Sequence, residues 1–169
     1  MKYYFYNRKD IGITLTETLV VAIVIGILAA IGVPNLFGLL SRNRVDEALA
    51  QIEGAIKESQ RQAIRQGKSC RINIGTSTNT ISGNPSDCLF STRDIGSDIT
   101  IRTNLSGSPP NILFSAKGST TKSGTIVVSS ETTDMQKCFV ISLGLGIMRT
   151  GEYTGSKTGS VSASDCQSN

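Results

Sequence analysis

Histidine and tryptophan are absent from this 169-residue chain, and aromatic side chains make up only 5% of it. The commonest general base and the commonest zinc ligand are therefore missing together. Serine and threonine are abundant, but no imidazole is present to activate them. Ser119-Thr120-Thr121-Lys122 has a Ser-x-x-Lys spacing only on what reads as an exposed turn. Gly144-Leu145-Gly146 is too short for a phosphate-cradling loop and opens no helix. Asp46 and Glu47 are chain neighbours, not opposed carboxylates. The four cysteines, at 70, 88, 138 and 166, contain no C-x-x-C pair, which argues against a zinc knuckle or a thioredoxin-type redox site. No catalytic residue, cofactor or metal is expected. The net charge of +4 falls to +2 without residues 1–12, too little to imply a nucleic-acid or anionic-membrane partner by itself.

Charge is also scarce where it matters most. From Ile13 to Ser41 the chain is apolar, and its single charge is Glu17. A 19-residue window from Thr18 to Leu36 has none, which qualifies as a membrane helix. A carboxylate inside such a span costs roughly 2.5 kcal/mol or more and usually has a function. Lys2, Arg8 and Lys9 precede the span and place the N-terminus inside, against the opposing weight of Arg42 and Arg44. A secretory signal cut near Ala29-Ala30-Ile31-Gly32 is the competing reading. The apolar run continues past that point, and a helical pattern follows Pro34, so cleavage there is disfavoured.

Pro34 lacks an amide donor and should loosen the helix without ending it. Beyond it Val45, Leu49, Ile52, Ile56 and Ala63 recur on one helical face, with Arg44, Glu47, Glu53, Lys57, Arg61 and Arg65 on the others. The helix is predicted over residues 14–66, with Gly67 as its stop. After Gly67, alternating patterns predict strands at 69–74, 79–82, 87–90, 98–103, 111–114, 125–129, 137–143 and 147–150. The fold class is α+β: a long N-terminal helix, membrane-spanning in its first half and amphipathic in its second, packed on two small antiparallel sheets. The division is 1–12 leader, 13–40 membrane helix, 41–67 amphipathic helix and 68–169 soluble β-rich domain. Residues 154–169 read as loop apart from a tether at Cys166.

An even cysteine count in an exported domain favours disulfides over four buried thiols. Of the three possible pairings, Cys70–Cys88 and Cys138–Cys166 are preferred because they join chain neighbours. The first would staple a hairpin and the second would tie down the polar tail.

Gly12-Ile13-Thr14-Leu15-Thr16-Glu17 and the apolar run Leu19 to Ala30 resemble the class III signal of type IV pilins and pseudopilins. The resemblance implies cleavage by a membrane peptidase between Gly12 and Ile13, and N-methylation of Ile13. Glu17 and Pro34 then fall at the family's assembly positions, although the usual first residue, phenylalanine, is replaced by Ile13. In a fibre Glu17 would pair with a neighbour's terminal amine. Residues 59–69, Ile112 to Ser115, Gly124 to Val128 and Cys138 to Gly144 resemble the GspH/FimT branch. That implies a minor pilin of a type IV pilus, or alternatively a minor pseudopilin of type II secretion. The implied partners are other subunits, the prepilin peptidase and an inner-membrane assembly platform. The implied location is the bacterial inner membrane, single-pass, with a periplasmic C-terminal domain, and then the pilus or pseudopilus. Some pilus members bind DNA through Gly-Arg-x-Arg. The matching stretch, Gly146 to Arg149, has Ile147 in place of the first arginine, which leaves Lys137, Arg149 and Lys157 as a candidate DNA patch.

Overall fold

The computed structural model describes residues 12–168, with the backbone alone at Pro34 and Asn35. One helix, α1 (Leu15–Gln66), precedes nine strands: β1 (Cys70–Gly75), β2 (Thr80–Asn84), β3 (Arg93–Asp94), β4 (Ile99–Thr103), β5 (Asn111–Phe114), β6 (Gly124–Ser130), β7 (Gln136–Ile141), β8 (Met148–Tyr153) and β9 (Cys166–Gln167). The chain divides into two units between Phe37 and Gly38, and α1 runs through that boundary. Pro34 lies inside α1 and does not end it.

In the second unit α1 buries Val45, Ala48, Leu49, Ile52, Ala55, Ile56, Ser59, Gln62 and Ala63. These fall at the i, i+3, i+4, i+7 spacing of one helical face, and the alanines and Ser59 let the sheets approach closely. The helix stops in a Schellman arrangement. Lys68 N–H donates to the Ala63 carbonyl, Gly67 N–H donates to the Ile64 carbonyl, and Gly67 takes φ +63°.

Two antiparallel sheets cover that helix face, ordered β3-β2-β1-β5 and β4-β6-β7-β8-β9. Ile72, Ile74, Ile81, Ile112 and Phe114 from the first sheet join Ile99, Ile101, Ile126, Val128, Phe139 and Ile141 from the second in one core with the helix. The predicted strand at 87–90 is not formed. Ser86–Cys88 is instead a 3-10 turn, because Pro85 cannot extend a ladder and the Cys88 sulfur is drawn to Cys70.

The C-terminal segment is irregular over residues 154–162, as expected, and gains regular structure only at its end. A 3-10 turn at Ala163–Asp165 leads into β9, which pairs with β8. A second core, of Val127, Cys138, Val140, Tyr153 and Cys166, forms on the outer face of the five-stranded sheet, with Val161 and Ala163 packed against it. Gly151 permits the closure, since a Cβ there would collide with the Gln167 carbonyl oxygen.

Disulfides join Cys70 to Cys88 and Cys138 to Cys166, with Cα separations of 5.4 and 5.8 Å. The second closes a loop of 28 residues, for which chain-entropy arguments give about 3.6 kcal/mol. The paired variant Cys138→Ser with Cys166→Ser is expected to lower the thermal midpoint by roughly 10 °C. A midpoint within a degree of the parent, followed by circular dichroism, would show that the tail is held by packing alone.

Candidate assembly site

The peptide between Gly12 and Ile13 precedes any helical hydrogen bond. Residues 12–14 have no regular secondary structure and are exposed, and α1 begins at Leu15. Thr14 is the N-cap: its carbonyl accepts from the N–H groups of Glu17 and Thr18, and its hydroxyl accepts from Glu17 N–H at 3.3 Å. Thr14-Leu15-Thr16-Glu17 is thus one half of a capping box, with Glu17 in the first turn where the helix dipole favours a negative charge. The S/T-x-x-E spacing marks a cap in the sequence itself, so Glu17 has a local role beside the expected assembly one. Among the described residues no cation pairs with Glu17. The basic residues Lys2, Arg8 and Lys9, and the leader to residue 11, lie outside the described residues, as does the Pro34 side chain.

Along the first unit every large apolar side chain described is exposed, from Ile13 at 72% through Leu19, Val24 and Leu28 to Val33. A helix apolar on all sides needs a cover, which lipid or other helices supply.

The cations proposed for DNA do not form one patch. Lys137 pairs across the ladder with Glu152, whereas Arg149 lies opposite Val140. Strand alternation then puts Lys137 and Arg149 on opposite faces of the sheet. Lys137 faces the helix, between Asp46 at 3.6 Å and Glu152 at 3.2 Å, with its side chain only 13% exposed. Lys157 is held by Asp134 and the Thr133 carbonyl. That hydrogen bond and the ammonium charge hold the Asp134 carboxyl below its ordinary value. The contact is present above that ordinary value and fades as pH falls through the lowered one. Which face a cation occupies depends on ladder register, and composition does not carry that.

Further along the helix, the Glu58 carboxylate accepts from Phe90 N–H at 2.7 Å and from Arg93 at 2.6 Å. This anchors the connection after Cys88 to α1. Among the described residues no group of three potential metal ligands gathers.

No family model matches the sequence. No curated protein matches it either. Among solved structures, the chain is similar to the type IV minor pilin FimU of Pseudomonas aeruginosa (strain PAO1), at 16% identity and a TM-score of 0.53. The match covers 64% of this chain and 88% of that one. The minor pseudopilin EpsH from the type 2 secretion system of Vibrio cholerae matches at 13% identity and a TM-score of 0.49, over 63% of this chain and 94% of that one. The similarity to FimU shows that the architecture is pilin-like: one long N-terminal helix and a two-sheet antiparallel domain.

Proposed function

We propose that this chain is a minor pilin-like structural subunit of a type IV pilus, cut by a prepilin peptidase after Gly12, methylated on Ile13 and assembled into a filament with other subunits. The observation that carries the reading is the helix of the first unit, whose described large apolar side chains are all exposed and whose single charge stands in its first turn. A simple anchor has no use for that carboxylate. A subunit that leaves lipid for a helical bundle does, because a neighbour's new terminal amine can neutralise it. The membrane form is single-pass through residues 13–40, with the N-terminus cytoplasmic and the disulfide-bearing domain periplasmic, where oxidation is sustained. An inner-membrane platform would extract it. The chain serves as a substrate of processing and carries no catalytic role.

Deletion with complementation tests this. Loss of surface filaments, restored by the wild-type gene, is expected. Normal filaments with lost protein secretion would assign the chain to a type II pseudopilus, and normal filaments with lost DNA uptake would assign a binding role instead.

A further inference from the structure

Beside the second core, the outer face of the five-stranded sheet holds an open cleft of about 480 Å³ lined by Asn104, Ser123, Thr125, Val140, Leu143 and Arg149, among others. Three of these form a row across adjacent strands, because Thr125 pairs with Val140 and Val140 pairs with Arg149. The row spans two strand spacings, roughly 10 Å between the outer backbones, a distance an arginine side chain can largely cross.

Thr125 is 0% exposed, and its hydroxyl has no hydrogen-bond partner. The rest of the residue is fully engaged. Its N–H donates to the Asn104 side-chain oxygen at 2.7 Å, and its carbonyl accepts from the Thr103 hydroxyl and Asn104 N–H. The second function of Asn104 is also used, donating to the Val161 carbonyl. A buried hydroxyl without a partner is costly and rare. Arg149 is likewise under-used. It donates from one terminal nitrogen to the Ala163 carbonyl at 2.9 Å and joins no ion pair among the described residues. The acid nearest in sequence to that contact, Asp165, is occupied by the Tyr153 and Ser164 hydroxyls.

We infer that this cleft binds a carboxylate carried on an apolar body. The guanidinium fork suits a planar carboxylate. Among the described residues it is the one cation lining the cleft, which matches a single negative charge better than a phosphate dianion. Val140 and the exposed Leu143 supply apolar wall for the remainder of the ligand. Ser123 and Ser142 line the same cleft. The carboxylate has two possible sources, a chain terminus or an acidic side chain of a peptide.

The test uses isotope-labelled full-length chain in detergent micelles, followed by NMR. Four probes are titrated: N-acetylleucine, N-acetylglutamic acid α-amide, neutral N-acetylleucinamide and inorganic phosphate. Saturable shifts at the Arg149 side chain and the Thr125 amide are expected with one or both carboxylates and not with the amide. The tighter of the two carboxylates identifies the source. Arg149→Gln should weaken binding about tenfold, the scale of one lost charge-assisted contact. Thr125→Val should leave affinity unchanged, because the residue is sealed beneath the cleft, while raising the melting temperature of the free chain by removing the orphaned hydroxyl. Equal response to the amide, response to phosphate as strong as to carboxylate, or an affinity unchanged in Arg149→Gln would each overturn the assignment.

Discussion

A Gly12→Val chain recovered from membranes is expected to retain its first twelve residues, while the parent chain begins at Ile13 and carries one methyl group on that amine. The effect should be close to complete on the proposed cleavage, because a branched side chain would crowd the peptide bond to be cut. The fold itself gives valine no penalty: a Cβ at position 12 meets nothing within 4 Å. The segment is also exposed and non-helical, as a peptide entering a protease cleft must be. Failure of cleavage would therefore report recognition and not misfolding. Intact-mass spectrometry decides it. A variant chain starting at Ile13 removes the cleavage assignment, and so does a parent chain starting at Met1.

Glu17→Ala should insert into membranes at the parent level and enter filaments at no more than about a tenth of it. A lost buried ion pair that leaves one charge alone costs about 3–5 kcal/mol, more than enough for that change. Thr14 complicates a simple reading, because Glu17 also sits in the capped first turn. Loss of favourable dipole interaction accounts for only about 0.3–1 kcal/mol. Glu17→Gln separates the two roles, since glutamine serves a capping box but cannot neutralise an amine. Quantitative blotting of sheared filaments against membrane fractions should find Glu17→Gln as defective as Glu17→Ala. Recovery to parent incorporation in Glu17→Gln would make the residue a cap and nothing more.

The helix, its buried stripe and its stop at Gly67 were legible because each rests on local periodicity or a single residue's backbone freedom. Most strands were legible for the same reason. Two-residue strands such as β3 and β9 leave no period to detect, and Asp87 to Phe90 alternates like a strand while folding as a turn around a disulfide. The tail is loop over residues 154–162 and tethered at Cys166 as expected, but the short turn and strand at its end, and the core it covers, were not legible from its serines and glycines. The missed clue lay elsewhere, in Ile126-Val127-Val128 and Phe139-Val140-Ile141. Uninterrupted apolar runs in strands signal cover on both faces, and here the cover is the segment from Tyr153 to Cys166. At the N-terminal site the glycine, the acid and the proline carry the assembly expectation, whereas the threonine that caps the helix was passed over. The cleft at Thr125 was invisible, since it depends on register across three strands and on one hydroxyl that found no partner.

The clasp between Cys138 and Cys166 gives the molecule a dependence on its chemical surroundings. Kept under thiol reductant, a newly made copy would hold most of its architecture, yet Val127, Val140 and Tyr153 would lie uncapped. Such an unfinished copy would be sticky, and open to housekeeping proteases before it could be drawn into a fibre.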